Sequence, residues 1–158
     1  MSVRVWRADR TEAETVARLL VEFRDSFGRD WPSANAFLAG VEKLIDTNEC
    51  EFLLAAPHDD SPPTGVVQLR FRFGIWHAST DCWLEDLFVE EASRRQGVAK
   101  GLVEFAVERA TERGCRRLEL DVSEANTGAI AFYESLGFGF KSDPHKDLLM
   151  KLSIPQPG

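Results

Sequence analysis

The chain has 158 residues and a formal net charge of −7, with 44% hydrophobic and 28% charged residues. That length suits one domain with a proper core, read as 1–158, and the acidic balance argues against a nucleic-acid partner, which wants a basic face. No apolar run approaches the roughly 20 residues that span a membrane, and Met1 to Arg7 lacks the apolar core of a signal peptide, so no membrane association and a cytoplasmic location are expected.

Val3 to Ala8 sets Val3 and Val5 against Arg4, Trp6 and Arg7 and predicts a short first strand. Asp9 with Glu12 has the spacing of a capping box, opening a helix whose apolar face is Val16, Leu19, Leu20 and Phe23. Residues 24–32, which include Phe27, Gly28, Trp31 and Pro32, break it. Ser33 then caps a second helix with Phe37, Val41, Leu44 and Ile45 as its stripe. Glu51 to Ala56 is a second strand, ended by a Pro-rich surface loop at 57–63. Gly65 to Phe73 alternates Val67, Leu69, Phe71 and Phe73 with Gln68, Arg70 and Arg72, a third strand. Gly74 to Asp81, with Trp76 and His77, reads as a hairpin connection into a fourth strand, Cys82 to Val89.

The next stretch organises the rest. Glu90 to Ser93 turns into Arg94-Arg95-Gln96-Gly97-Val98-Ala99, and a helix follows with Ala99, Leu102, Val103, Ala106 and Ala110 on one face. The first N–H groups of a helix lack intrahelical partners, and the dipole makes that end positive, so the mouth near Gly97 should attract an anion. Arg94, Arg95 and Lys100 crowd the same turn. Either they pair with Glu90 and Glu91 or point into water, or they answer an anionic ligand.

Gly114 stops that helix, and Leu118, Leu120 and Val122 alternate with Glu119 and Asp121 as a fifth strand. Asn126 is placed to cap a helix with face Ala129, Phe132, Tyr133 and Leu136. Gly137 then supplies a left-handed C′ position, with Phe138 as its apolar contact. Phe138 to Lys141 and Leu148 to Leu152 read as two last strands, before a loose tail at 155–158. The three cysteines (Cys50, Cys82, Cys115) are reduced core or near-core residues by this reading. The three histidines are scattered, so no metal site is expected.

Arg94-x-x-Gly97-x-Ala99 between a strand and a helix resembles the acetyl-CoA signature of the GNAT acetyltransferases. Leu84-Glu85-Asp86-Leu87-Phe88-Val89 before it, Asn126 after it, and Ala131 to Phe138 beyond complete the family's order over about a third of the chain. The six residues from Leu84 are similar to the Leu-Glu-Asp-Phe-Phe-Val strand of the spermidine/spermine and thialysine branch. The resemblance implies an α/β (α+β) fold, a mixed, mostly antiparallel sheet of about seven strands with about four helices. It implies an acetyl-CoA-dependent N-acetyltransferase acting directly on a primary amine of a small cationic molecule, and a homodimer. The competing readings are a protein or peptide N-acetyltransferase and a non-catalytic acyl-CoA sensor.

Carried over residue by residue, the pyrophosphate belongs at Arg94, Arg95, Gln96, Gly97, Val98, Ala99 and Lys100, and the pantetheine arm along Leu87, Phe88 and Val89. Ala99 stands where many members have glycine, and Arg95-Gln96 departs from the commoner Arg-Gly form. Asn126 would touch the pantetheine, or act only as a cap. Phe27 and Trp31, in the linker of the first helix pair, and Trp76, in the hairpin, are acceptor-pocket candidates, with simple packing or loop exposure as the other reading. Glu85 matches the family's glutamate and would take the amine proton, since an alkyl amine of pKa about 10.4 is protonated at neutral pH. Strand alternation sends Asp86 to the opposite face, so only one of the pair is expected to face the pocket. Glu85 pairing with Arg70 or Arg72 across the sheet is the structural alternative. Tyr133, the chain's only tyrosine, would return a proton to the CoA thiolate.

Overall fold

A computed structural model describes residues 2–140, 144–145 and 147–157. The chain divides into two compact units, 1–121 and 122–158. The first unit carries strands β1 (Arg4–Arg7), β2 (Cys50–Ala56), β3 (Gly65–Gly74), β4 (Ser79–Val89) and β5 (Leu118–Glu119). They form one sheet in the order β1-β2-β3-β4-β5. The first four strands are an antiparallel meander, and β5 lies parallel to β4. Helix α3 (Val98–Glu112) supplies the crossover that a parallel pair needs.

Helices α1 (Ala13–Ser26) and α2 (Ala34–Ile45) are set by their caps. Asp9 and Glu12 form the reciprocal capping box on a short 3-10 turn, Arg10–Glu12, that leads into α1. Ser33 accepts the Ala36 N–H at 3.1 Å at the head of α2. Their apolar stripes (Val16, Leu19 and Leu20 from α1, Val41 and Ile45 from α2) bury against Cys50, Phe52, Leu54, Val66 and Phe88. This fixes one face of the sheet as the α1–α2 side.

The other face carries α3, whose Val98, Leu102, Val103, Ala106 and Ala110 are buried. A Cβ on Gly65 would stand 2.7 Å from Val98 Cγ1 and 3.1 Å from Leu102 Cδ1, so glycine there lets helix and strand approach. The same face buries a carboxylate: Glu51 is 1% exposed. Arg109 Nε and Nη2 donate to it at 2.7 and 2.8 Å, Arg113 Nη1 at 3.1 Å, and Arg7 lies 3.8 Å away. Burial alone would raise the Glu51 carboxyl, but the hydrogen bonds from Arg109 and Arg113 outweigh it and hold it below its ordinary value. The cage ties the C-terminal half of α3 to β2.

The second unit contains α4 (Thr127–Ser135). Asn126 Oδ1 accepts the Ala129 N–H at 3.1 Å, so the expected cap is formed. Gly137 takes φ 99° and its N–H donates to Glu134 O, while the Phe138 N–H reaches Tyr133 O. That is the left-handed helix stop expected at Gly137.

The fold class is as expected, but the described residues hold five strands rather than about seven. β5 stops at Glu119, and Leu120 and Val122 lie outside any strand. Phe138–Phe140 and Leu148–Leu152 form no ladder, and Leu149 is 97% exposed. Lys141, the last residue of the sixth expected strand, lies outside the described residues. Apolar alternation supplies a face but not a partner, and a strand exists only where a neighbour accepts its hydrogen bonds. The hairpin is also tighter than expected: β3 runs through Gly74 and β4 starts at Ser79.

Candidate active site

The site begins with a count of residues. Val66 pairs with Phe88 and Gln68 with Glu85, so two steps along β3 face three along β4. The extra residue is accommodated at Asp86, which takes φ 56°, a left-handed conformation that Asp tolerates better than most side chains. This bulge corrects the alternation argument. Glu85 stands opposite Gln68, whose Nε2 reaches Cys50 Sγ at 3.3 Å, and Cys50 belongs to the α1–α2 core. Asp86 lines a cleft built from α1, α2 and their linker. Both carboxylates therefore lie on the α1–α2 side.

Glu85 opens on a cavity of about 750 Å³ shared with Arg70, Arg72, Trp83 and Asp121. Arg70 sits directly opposite Trp83, two pairs along from Gln68 and Glu85 and so on the same face. Burial raises the Glu85 carboxyl above its ordinary value; Arg70 opposes that rise, and the nearby Asp86 and Asp121 charges add to it. A carboxylate moved upward from the usual range is a stronger base, suited to taking a proton near neutral pH.

Asp86 sits in a smaller cleft of about 200 Å³ with Phe23, Phe27, Trp31 and Phe37. Phe23 stacks on Phe88 at 5.3 Å and meets Phe27 at 4.9 Å, a run of rings from the core to the rim. Phe27 and Trp31 are 63% and 77% exposed, a rim rather than core packing. Burial raises the Asp86 carboxyl, and among the described residues no ion pair or hydrogen bond holds its side chain.

Beyond the bulge the sheet opens. The last β4–β5 pair is Trp83 with Glu119, yet β4 continues through Val89. Leu84 to Val89 thus present a strand edge that β5 does not cover, an edge on which an amide-bearing chain could add as a strand does. The turn that follows is tied internally: Arg94 Nε donates to Val89 O at 3.1 Å and Gln96 Nε2 to Ala92 O at 3.1 Å. Arg95 takes φ 68° and Gly97 φ 82°. Gly97 is the N-cap of α3 with no side-chain cap, and the first bond back to it comes from Gly101. The N–H groups of Val98, Ala99 and Lys100 consequently have no intrahelical acceptor. A Cβ at Gly97 would meet only Val3 Cγ2, at 3.7 Å, so the mouth is open. Glu90 pairs with Arg18 at 3.3 Å, not with the turn's cations. Arg95 and Lys100 have no salt bridge among the described residues. Backbone donors plus two uncommitted cations fit a pyrophosphate.

In the second unit Tyr133 is half-buried between Phe132 and Phe138, ring centroids 5.2 and 5.5 Å away. Burial raises its phenol, so it keeps its proton at neutral pH. Asn126 spends its Oδ1 on the cap. Trp76 is 96% exposed on the β3–β4 turn and lines neither cavity. Glu85 thus gathers with Arg70 and Trp83, and Phe27 and Trp31 gather with Asp86. Reasoning from the sequence named Arg70 only as an alternative ion-pair partner for Glu85 and sent Asp86 to the opposite face, so neither was a site candidate. The signal for Asp86 was two consecutive carboxylates inside an otherwise apolar strand, which already breaks a period of two. Among the described residues no group of three His, Cys, Asp or Glu could hold a metal. Among the described residues no helix is long and apolar enough to cross a membrane.

The acetyltransferase (GNAT) family model matches residues 16–138. The thialysine N-epsilon-acetyltransferase of Bos taurus is 30% identical over 87 residues, which are 54% of this chain and 51% of that protein. The chain thus spans about half the length of that relative. The aminoglycoside N(6′)-acetyltransferase type 1 of Salmonella typhimurium is 38% identical over 113 residues, 68% of this chain and 77% of that one. A solved structure of a probable acetyltransferase, 27% identical, superposes with a TM-score of 0.84 over 96% of this chain and 99% of the other.

Proposed function

Because the chain belongs to the acetyltransferase (GNAT) family, we propose that it moves an acetyl group from acetyl-CoA directly to the primary amine of a small cationic molecule. The observation that carries this is the pair of carboxylates, Glu85 and Asp86, on one side of a strand whose edge opens beside an uncapped helix mouth. Family membership alone would give the fold and not the chemistry.

In this reading the N–H groups of Val98, Ala99 and Lys100, with Arg95 and Lys100, hold the pyrophosphate, and Leu87, Phe88 and Val89 line the pantetheine arm. Arg94 and Gln96 hold the turn in shape through Val89 and Ala92, and Asn126 orders the start of α4. Glu85 takes the amine proton. The amine nitrogen then bonds to the thioester carbonyl carbon, and the carbon–sulfur bond breaks. Tyr133 gives its phenolic proton to the departing thiolate and regains one from solvent. Residues 1–158 are read as a single acetyltransferase domain, the family match crossing both units. A cytoplasmic homodimer is the setting we take with it. A thiol-release assay with acetyl-CoA and a panel of amines, polyamines and aminoglycosides tests the reading; turnover with peptides alone would move it to a protein N-acetyltransferase.

A further inference from the structure

We propose that Arg70 and Arg72 form an anion subsite beside Glu85 that holds a carboxylate of the acceptor, so that the preferred acceptors are amino acids whose side chain ends in an amine. The inference rests on the acetyltransferase reading and names a substrate class within it.

Arg70 and Arg72 stand two residues apart on β3 and project from one face of the sheet, the face that carries Glu85. Neither guanidinium has a hydrogen bond or salt bridge among the described residues. The carboxylates nearby are held elsewhere or stand off. Asp81, the direct cross-strand neighbour of Arg72, is only 5% exposed, but Arg117 Nε donates to it at 3.2 Å. The pairing of β2 with β3 ends at Cys50 and Arg70, so no β2 residue faces Arg72. Glu49 and Asp121 line the same cavity without an ion pair to either arginine. Two like charges about 7 Å apart along one strand repel each other, and a carboxylate bound in the fork of a guanidinium relieves that repulsion.

Position says which anion this is. Arg72 pairs with Asp81 near the start of β4, Glu85 lies four residues on, and the open helix mouth follows the end of the strand at Val89. At about 3.3 Å per residue, Asp81 and Val89 stand on the order of 25 Å apart, too far for a pyrophosphate at that mouth to reach the two arginines. The base thus lies between a site for the donor's anion and a site for the acceptor's. Arg70 is about 7 Å along the strand from the Gln68–Glu85 pair and Arg72 about 13 Å, spans that a chain of a few methylenes bridges. The cavity joining them, about 750 Å³, is of the size that encloses a small ligand. Such an amino acid keeps a net positive charge, its α-ammonium group answered by Glu49 or Asp121. A polyamine would bring only positive charge to the two guanidinium groups, which disfavours it.

Thiol release from acetyl-CoA with L-ornithine against putrescine, and with L-lysine against cadaverine, tests this, because each pair differs only in the α-carboxylate. Both members of a pair use the same base, so the ratio of their kcat/KM values cancels any change that loss of Arg70 brings to Glu85. The wild type should favour at least one amino acid over its diamine by about tenfold or more, as for a charged hydrogen bond. In Arg70→Gln/Arg72→Gln that ratio should fall about tenfold or more, mainly through the KM of the amino acid. Arg72→Gln alone, at an exposed position, should lower the ratio in the same direction, and it decides the matter if the double variant does not fold. A wild-type ratio at or below one in both pairs overturns the subsite, as does a wild type that acetylates other amines but neither amino acid. A ratio that survives the substitutions overturns it too. In each of these cases amine-dependent release leaves the acetyltransferase reading standing without the subsite; no release from any amine overturns that reading, and the subsite with it.

Discussion

Asp86 follows Glu85 directly in β4, yet both side chains stand on the α1–α2 side of the sheet, because Asp86 takes φ 56° where β4 has one residue more than β3. Burial raises both carboxyls, and the Asp86 charge adds to the rise at Glu85. Glu85 is lifted first by burial and further by Asp86, against the pull of Arg70.

The first prediction concerns pH. As pH falls through the raised value of Glu85, the base becomes protonated and the wild-type rate drops. Glu85→Gln should lose about 10²–10⁴-fold in kcat where free amine is scarce, and recover partly at high pH as the amine deprotonates by itself. A pH–rate profile of both proteins checks this; an equal loss at every pH would give Glu85 a structural role instead.

Tyr133→Phe keeps the ring that packs on Phe132 and Phe138 and removes only the proton. Its kcat should fall by about 10²–10⁴-fold with acetyl-CoA affinity unchanged. Full activity in steady-state kinetics would make solvent the acid.

At Gly97 the backbone sits at φ 82° and the space around it is open. Gly97→Val should strain the turn by about 1–2 kcal/mol, an amount a typical domain survives. Acetyl-CoA binding should nevertheless be lost, since a branched side chain would cover the N–H groups at the helix mouth. Calorimetry alongside thermal melting separates the two effects.

Much of this was legible in the sequence because it is local. The capping box at Asp9 and Glu12, the caps at Ser33 and Asn126 and the stop at Gly137 each involve residues within about five positions of one another. The bulge was not legible, because it follows from two distant requirements. Phe88 must stay with Phe23 and Val66 in the core, and Glu85 must stay opposite Gln68, while three steps of β4 span two of β3. The last two expected strands failed for a related reason: Leu148 to Leu152 has strand periodicity, but no described neighbour pairs with it.

The Glu51 cage gives a stability prediction. Its carboxyl is held low by Arg109 and Arg113, so the stabilisation is fully present above the ordinary carboxylate pKa of about 4.3. It is lost as pH falls through the lower folded value. Glu51→Gln should destabilise by about 3–5 kcal/mol at neutral pH, since it leaves two arginines without their buried partner. Its deficit should shrink in acid. Urea unfolding at neutral and acidic pH measures both; a deficit independent of pH would assign the cost to packing.

The most direct measurement is thiol release from acetyl-CoA by the wild-type chain against a panel of free amines, amino acids with side-chain amines, polyamines, aminoglycosides and peptides. The account expects amine-dependent release with at least one small cationic amine, and an acetylated product of equal molar amount. Binding of acetyl-CoA with no amine-dependent release from any acceptor would contradict it and leave a domain that holds the thioester without transferring it.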